Sequence, residues 1–308
     1  MPPPLLDIRP EAAAALQAGR PVVALESTLI AHGLPWPLNL ETARAAEAAV
    51  RAEGAVPATV AVWHGRPAVG LQDAELEYLA RTPGVRKASR RDLAAAVVQG
   101  ACAATTVAAT LALAHRAGLR LFATGGIGGV HPALASGSRL NEDVSADLPE
   151  LARTPLAVVC AGAKSILDLP ATLEVLETNG VPVVGYGTDE FPAFYLTTSG
   201  LPVSARVDSA AEAAALLQAH WGLGGAGVVL AQPLPAEAAL EPALFREALA
   251  RAERRAAEAG VRGPALTPFL LAQLAEITEG RTLRANQALI VSNARLAARV
   301  ARALAQGG

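Results

Sequence analysis

The sequence predicts a layered α/β protein: an α/β/α core with a largely parallel or mixed sheet, and a helical layer at its C-terminal end. Three observations lead to this prediction. Short apolar runs that end in Gly or polar residues recur along the chain, which is typical of strands covered on both faces. Helical patterns rich in Ala, Leu and charged residues separate these runs. After residue 240 the helical pattern continues alone.

The first half of the chain opens with a buried strand in PVVALEST, followed by a Pro- and Gly-rich turn and a helix in NLETARAAEAAVRAEG. Two further strands, ATVAVWHG and RPAVGL, are expected to be joined by a turn at His64 and Gly65. Helices are then predicted in DAELEYLAR, RRDLAAAVVQ and TTVAATLALAHRAG.

In the second half, four apolar runs predict central strands: LRLFATGG, LAVVCAG, VPVVGYG and AGVVLAQP. The helices expected between them are SADLPELAR, SILDLPATLEVLETNG and SAAEAAALLQAHWG, and three more fill the chain after residue 240. Neither a low-complexity linker nor a repeat of 20 to 50 residues divides the sequence, so residues 1–308 are predicted to form one domain.

Composition narrows the classes of function. A formal charge of −2 and a pI near 6.2 leave no basic excess to neutralise a nucleic acid, although a small anionic ligand stays possible. The sequence has no apolar run long enough for a membrane span and no signal-peptide pattern. Cys102 and Cys160 lack metal-binding spacing and lie in apolar surroundings, so reduced thiols and a cytoplasmic location are expected.

Lysine is rare in this chain, which has 24 Arg but only Lys87 and Lys164. A coding bias towards Arg would leave lysine where a guanidinium cannot replace it. Lys164 follows the predicted strand LAVVCAG, where ligands gather in open α/β sheets, and a desolvated amine there could attack a carbonyl or anomeric carbon. Alternatively, Lys164 could pair with Asp168, one helical turn further on.

Two more charged positions have alternative interpretations. Glu26 lies late in the strand PVVALEST. Burial there would raise the pKa of its carboxyl group, which would suit Glu26 to general acid catalysis. In the alternative interpretation, the side chain reaches solvent or pairs with an Arg. Lys87 lies beside Arg86, Arg90 and Arg91, which form either a solvated face or an anchor for a substrate phosphate.

The glycine cluster TGGIGGVH follows a predicted strand but does not fit a Rossmann fingerprint, because the third glycine position is His131. It is either a loop that approaches a phosphate or sugar, or a tight turn. Downstream, Asp143 and Asp147 could converge on a divalent cation or on sugar hydroxyls. In the alternative interpretation, Ser145 or Asp147 caps the following helix.

Many segments, in order, closely resemble the pseudouridine-5'-phosphate glycosidase family, also called the indigoidine synthase A-like family. The resemblance runs from about residue 12 to about residue 305, and the segments that carry it are VVALESTLIAHGLPWPLNLETA, GAVPATVAV, KASRRDL, FATGGIGGVH, DVSADLPELA, VVCAGAKSILDLPATLEVLETNGVPVVGYGTDEFPAFY and TPFLLAQLAEITEGRTLRANQALIVSNA.

This resemblance implies reversible cleavage of the C–C glycosidic bond of pseudouridine 5'-phosphate to uracil and ribose 5-phosphate, with a divalent ion, usually Mn²⁺. It implies that Glu26 is the proton donor, Lys164 the nucleophile and Asp143 the metal ligand. A homotrimer is also implied. The positions that it places at or near the substrate are Lys87, Val107, Thr124, His131, Ser145, Ala146, Asp147 and Asn286.

The chain departs from the family pattern in three places: a longer connection between His131 and Asp143, Cys102 in GACAATT, and AQP at 231–233 where the family commonly has Asn-Pro.

Two other functions stay open from the sequence. A Schiff-base aldolase acting on another sugar phosphate would need the same lysine, and a catalytically silent nucleotide-binding protein would keep the fold alone.

Overall fold

The computed structural model describes residues 5–132, 143–261 and 266–307. Within these ranges, one sheet contains eleven strands. They are β1 (Asp7–Ile8), β2 (Val22–Leu25), β3 (Val56–Trp63), β4 (Arg66–Val69), β5 (Arg86–Ala88), β6 (Ala103–Thr105), β7 (Leu121–Ala123), β8 (Ala157–Cys160), β9 (Val183–Tyr186), β10 (Ala205–Val207) and β11 (Val228–Ala231).

The helices of the described residues alternate with these strands as far as β11, and only helices follow it. They are α1 (Pro10–Gln17), α2 (Leu38–Ala52), α3 (Asp73–Arg81), α4 (Leu93–Val98), α5 (Val107–Arg116), α6 (Asp147–Leu151), α7 (Leu169–Thr178), α8 (Ala210–Gly222), α9 (Pro242–Glu258), α10 (Leu266–Ile277) and α11 (Arg281–Gln306). A π-helical turn (Leu29–Gly33) lies between β2 and α2.

The central part of the sheet is parallel, in the order β3-β2-β7-β8-β11-β9-β10. The second half of β3 pairs antiparallel with β4 and β6, while β5 adds to β6 and β1 to β4 in parallel. The prediction of an α/β fold with a largely parallel or mixed sheet is therefore confirmed. Parallel strands end at one edge, and this edge carries the site described below.

The turn between β3 and β4 has the geometry expected from its sequence. His64 and Gly65 both have positive φ angles, 45° and 76°, and Trp63 pairs with Arg66 across the turn. Two positive φ values are those of a type I′ turn, which follows the right-handed twist of the paired strands. The predicted hairpin is confirmed.

Helices cover the sheet in layers. The long helix α11 packs against α2 and α8 and lies over β2, β7 and β8, whereas α5 packs against α6 and against β2 and β3. The buried side of α11 is rich in small residues such as Ala285, Ala294 and Ala297, which allow the helix to approach the strands closely. This confirms the predicted C-terminal helical layer, although α9 and α10 pack mainly against each other.

The sequence did not predict β1, β5, β6, β10 or α1. These strands contain only two or three residues, too few to show an alternating pattern. None of the helices in the described ranges is both long and apolar enough to cross a membrane.

Candidate active site

Three polar side chains stand at the carboxyl ends of adjacent central strands. Glu26 directly follows β2, Thr124 directly follows β7, and Lys164 follows β8 after three small residues. Because β2, β7 and β8 are neighbours in the sheet, their ends bring these side chains to one cleft. This is where open α/β sheets bind ligands.

The residue after Glu26 fixes the end of β2. The hydroxyl group of Ser27, which is fully buried, donates to the carbonyl of Val60 on β3 (2.6 Å) and accepts from the backbone N–H of Thr105 on β6 (2.9 Å). Strand β6 in turn pairs with β5, which carries Lys87. Ser27 therefore links the backbone that holds Glu26 to the backbone that holds Lys87.

The carboxyl group of Glu26 accepts a hydrogen bond from the hydroxyl of Thr124. Burial raises the pKa of Glu26 above its ordinary value of 4.5, and this outweighs the lowering effect of Lys164, Thr124 and Lys87. Glu26 is only half-buried by surface area, because part of its side chain faces the cleft. A carboxyl group with a raised pKa retains its proton at higher pH, as a general acid requires.

Backbone pairing between two loops positions Lys164. The segment after β8 continues beside the glycine loop after β7: Ala161 N donates to Gly125 O (2.9 Å) and Lys164 N donates to Ile127 O (3.2 Å). The alternative pairing with Asp168 is wrong, since Asp168 instead caps α7 by accepting from Ala171 N (3.0 Å). Within the described ranges, all side-chain ion pairs use Arg as the cation, and neither lysine forms one.

Lys87 lines the same cleft from β5. Burial of its ammonium group lowers the pKa of Lys87, and the positive charge of Lys164 lowers it further. Much of the side chain stays accessible to solvent through the cleft, so a ligand can reach it. The three neighbouring arginines do not share this position: Arg86 bonds Gln99, Arg90 pairs with Glu150, and Arg91 lies beside Asp92.

The cleft is narrow, with a cavity volume of about 80 Å³, and it is open to solvent at its mouth. Glu26, Lys87, Thr124 and Lys164 line it from the strands and their ends. Asn286 and an apolar wall line it from α10, α11 and the loop after β9; the wall includes Phe194, Pro268, Leu271 and Ile290.

The glycine loop packs tightly, and none of its four glycines has a positive φ angle. A Cβ atom on Gly126 would lie 2.6 Å from Cδ2 of Phe194, and one on Gly128 would lie 2.2 Å from Oγ of Ser145. These glycines therefore allow close approach of neighbouring groups rather than a positive φ angle. Gly125 and Gly126 line the cleft, and their contact with a phosphate or sugar stays a prediction.

Asp147 is a buried carboxylate at the start of α6, and backbone N–H groups engage both of its oxygens. Oδ1 accepts from Ala108 N at the start of α5 (2.9 Å), and Oδ2 accepts from Gly128 N (2.8 Å). Ser145 Oγ accepts from Asp147 N (3.3 Å), but the N-cap of α6 is Ala146, so neither Ser145 nor Asp147 is the helix cap. In the protein without ligand, Asp147 therefore holds α5, which begins at the buried Val107, next to the glycine loop.

Asp143 and His131 lie together beyond this loop, where His131 N donates to Asp143 O (3.0 Å). The Asp143 side chain is exposed. Burial lowers the pKa of His131, whereas the Asp143 carboxylate raises it. The described residues bring together no group of three or more His, Cys, Asp or Glu side chains suited to a metal ion.

Several predicted substrate contacts do not line the cleft. Lys87, Thr124, Lys164, Glu26 and Asn286 do line it. Val107, His131, Ser145, Ala146 and Asp147 lie around the glycine loop or the start of α5, and their contact with a substrate stays a prediction.

Comparison with known proteins matches residues 11–303 to the family described as indigoidine synthase A like protein. The chain belongs to this family. A pseudouridine-5'-phosphate glycosidase of Herpetosiphon aurantiacus is 56% identical over 98% of both chains, and one of Roseiflexus sp. is 58% identical over 96% of this chain and 94% of the relative.

Solved structures of family members show the same fold. The prealnumycin C-glycosynthase AlnA, solved in complex with ribulose 5-phosphate, has a TM-score of 0.90 with 41% identity over 99% of both chains. An indigoidine synthase A-like protein from Thermotoga maritima has a TM-score of 0.87 with 36% identity over 97% of this chain and 96% of that chain.

Of the three departures from the family pattern, two can be located in this family member. Most of the longer connection, residues 133–142, lies outside the described residues. Cys102 is a half-buried free thiol before β6, and Cys160 is a free thiol whose pKa burial raises to about 12. Gln232 of AQP forms side-chain hydrogen bonds to α11.

Sequence reasoning missed two cleft residues of this family member. His32, in the π-helical turn, lines the cleft and is exposed to solvent by surface area. The protein around its ring still removes part of the ring's hydration, and this lowers the pKa of His32. Phe194 has a φ angle of 60°, which is strained for a bulky side chain, and packs over Gly126. The place of His32 in the turn that follows Glu26 was one hint to its position, whereas nothing local marked Phe194.

Proposed function

We propose that this protein is a pseudouridine-5'-phosphate glycosidase, which reversibly cleaves the C–C glycosidic bond of pseudouridine 5'-phosphate to uracil and ribose 5-phosphate. The observation that carries the proposal is the placement of Glu26 and Lys164 in one cleft, at the ends of strands that flank β7. Relatives that are 56% and 58% identical to this chain bear the name of this activity.

The reaction needs this unusual pair because uracil leaves from a carbon atom. A glycosidase with two carboxylates protonates the heteroatom that links sugar and leaving group, and a C–C bond offers no such atom. An amine nucleophile can instead form an imine at C1' once the ribose ring is open. Arginine, which keeps its proton, cannot supply the free electron pair for this step.

In the proposed mechanism, Glu26 protonates the ring oxygen of ribose while the nitrogen of Lys164 bonds to C1', which breaks the C1'–oxygen bond. The bonded lysine nitrogen then gives up a proton to the Glu26 carboxylate, and Glu26 delivers a proton to C5 of uracil. The lysine nitrogen forms a double bond to C1' as the C1'–C5 bond breaks. The electron pair of the C1'–C5 bond restores the C5–C6 double bond of uracil. Water hydrolyses the resulting imine and frees Lys164 and ribose 5-phosphate.

The remaining residues would bind the substrate. Lys87 offers a compact charge that is accessible in the cleft and forms no ion pair within the described ranges, which suits it to the substrate phosphate. Asn286 and the apolar wall would face the uracil ring. Val107, Thr124, His131, Ser145, Ala146 and Asp147 complete the proposed set.

A Mn²⁺ ion is part of the proposal, with Asp143 as its protein ligand. One exposed carboxylate, without a larger cluster among the described residues, fits a hard cation that water mostly coordinates. When bound, the ion would supply positive charge that orients oxygen atoms of the substrate. The homotrimer, the cytoplasmic location and a role in pseudouridine breakdown also belong to this proposal, on the family resemblance.

A steady-state assay tests the function. The purified protein is incubated with pseudouridine 5'-phosphate, with added Mn²⁺ or with a chelator, and uracil is measured by its ultraviolet absorbance after chromatography. We expect uracil and ribose 5-phosphate in equal amounts, and a loss of rate with the chelator. Cleavage of another sugar phosphate without uracil release would indicate the aldolase, and binding without product would indicate the silent protein.

A further inference from the structure

A chain of amide groups lies behind the general acid, outside the cleft. Asn293 of α11 is buried, with 1% of its surface exposed. Its Nδ2 donates to the carbonyl of Thr124 (2.8 Å) and to that of Gly125 (3.3 Å), where β7 leads into the glycine loop. Its Oδ1 accepts from Nε2 of Gln232 (2.9 Å), directly after β11.

These contacts fix the orientation of the Asn293 amide. Backbone carbonyls only accept hydrogen bonds, so the NH₂ group of Asn293 must face Thr124 and Gly125. Its oxygen must then face Gln232, which supplies the donor. Without Gln232, the buried oxygen would lose its partner, and the amide would no longer be held in the orientation that binds both carbonyls.

Thr124 connects Asn293 to Glu26 through hydrogen bonds. The backbone of Thr124 is held from two sides, since its N–H donates to Val159 O (3.0 Å) and its carbonyl accepts from Asn293. Its hydroxyl donates to the carboxyl group of Glu26; after the charge of Lys164, this bond is the next largest effect that opposes the rise in pKa caused by burial. A shift of Thr124 would therefore change both the position of the Glu26 carboxyl group and its proton affinity.

We infer that Gln232 and Asn293 are positioning residues for Glu26, acting through Thr124. The inference rests on the proposed function, in which Glu26 is the general acid. Neither residue lines the cleft, so neither is expected to touch the substrate. They would set how readily Glu26 gives up its proton, whereas Lys87 and Asn286 would determine substrate affinity.

The test uses Gln232→Met, which keeps length and charge but removes the donor, and Asn293→Leu. We expect kcat to fall about 10-fold to 100-fold, as small misplacements of reacting groups do, with KM within about twofold of wild type. The alkaline limb of the kcat profile should move to higher pH, because a weaker hydrogen bond from Thr124 lets the pKa of Glu26 rise. The double variant should lose little more than either single variant.

Ser292→Ala is the matched control, because Ser292 Oγ accepts the other, longer bond of Gln232 (3.3 Å) without contacting Thr124. Wild-type rate and pH profile are expected for it. A Gln232→Met variant with unchanged kcat and alkaline limb, even if its melting temperature falls, would overturn the inference and leave Gln232 a structural residue. Should Asn293→Leu fail to fold, Gln232→Met alone decides.

A substrate-free measurement separates this inference from the proposed function. The Glu26 carboxyl group is titrated by ¹³C NMR in wild type and in Gln232→Met, with Glu26→Gln used to assign its signal. A higher Glu26 pKa in Gln232→Met supports the positioning role even if wild type releases no uracil, a result that would refute only the function. An equal pKa refutes the positioning role whatever the turnover.

Discussion

Two glutamates, Glu150 in α6 and Glu26 after β2, are held in opposite ways. Glu150 is fully buried and completely paired: Arg90 and Thr154 donate to Oε1, and Arg153 donates to Oε2. Glu26 accepts from one hydroxyl, and two lysines lie near it without forming an ion pair. A carboxylate held by guanidinium groups serves the fold, whereas one left without them can exchange a proton.

Replacement of Lys164 should have the largest effect, because it removes the reactive amine from the Glu26 region. Lys164→Arg keeps the positive charge and is expected to lower kcat at least about 1,000-fold. Lys87→Arg is the matched control: it keeps a charge for the phosphate and should raise KM about tenfold, the size of a displaced charged hydrogen bond. If Lys164→Arg loses no more activity than Lys87→Arg, the prediction is contradicted, and residue 164 supplies only a positive charge.

Glu26→Gln should have the next largest effect. The amide keeps the shape of the side chain but cannot donate a proton to the ring oxygen, so kcat should fall about 100-fold to 10,000-fold. Uracil release is the measurement. A rate near that of wild type would mean that a different group protonates the ring.

Glu150→Gln tests the other side of the comparison. The variant leaves Arg90 and Arg153 without their shared carboxylate, and we expect the free energy of unfolding to fall by about 1–3 kcal/mol in urea titrations. Both arginines are about half exposed, so water partly compensates for the loss. Because Glu150 does not line the cleft, kcat should stay within about twofold. A selective loss of activity would mean that Glu150 belongs with Glu26.

The smallest effect concerns the pH dependence of stability. A raised pKa of Glu26 means that the folded protein binds this proton more tightly than the unfolded chain, so stability is lost as pH rises from 4.5 through the folded pKa. Glu26→Gln removes this titration. Its melting temperature should exceed that of wild type by about 2–4 °C at pH 8, with the difference vanishing near pH 4. A difference independent of pH would contradict the raised pKa.

The sequence predicted the parts of the fold that repeat. Apolar runs indicated the central strands, and their carboxyl ends indicated where Glu26 and Lys164 would lie, because parallel strands end at a common edge. The antiparallel extension that brings Lys87 to the cleft was not predicted. Strands β5 and β6 have three residues each; β6 pairs with β3, which is remote in sequence, and β5 pairs with β6.

Side-chain direction was the second limit of sequence reasoning. The spacing of Asp143 and Asp147 allowed both to reach one cation, yet Asp147 turns inward to Ala108 and Gly128, donors from other elements. In the same way, nothing local shows that Asn293, seven residues after Asn286 on α11, bonds both the carbonyl of Thr124 and the side chain of Gln232. Such contacts depend on packing between distant segments.

Reductive trapping tests the central claim, that Lys164 is the nucleophile, most directly. Wild-type protein is mixed with pseudouridine 5'-phosphate and borohydride, digested and examined by mass spectrometry. Since Lys87 and Lys164 are the two lysines of the chain, the modified peptide identifies the residue. We predict a reduced ribose-phosphate adduct on Lys164, absent in Lys164→Arg. An active wild type that gives no adduct, or an adduct on Lys87, would contradict the claim.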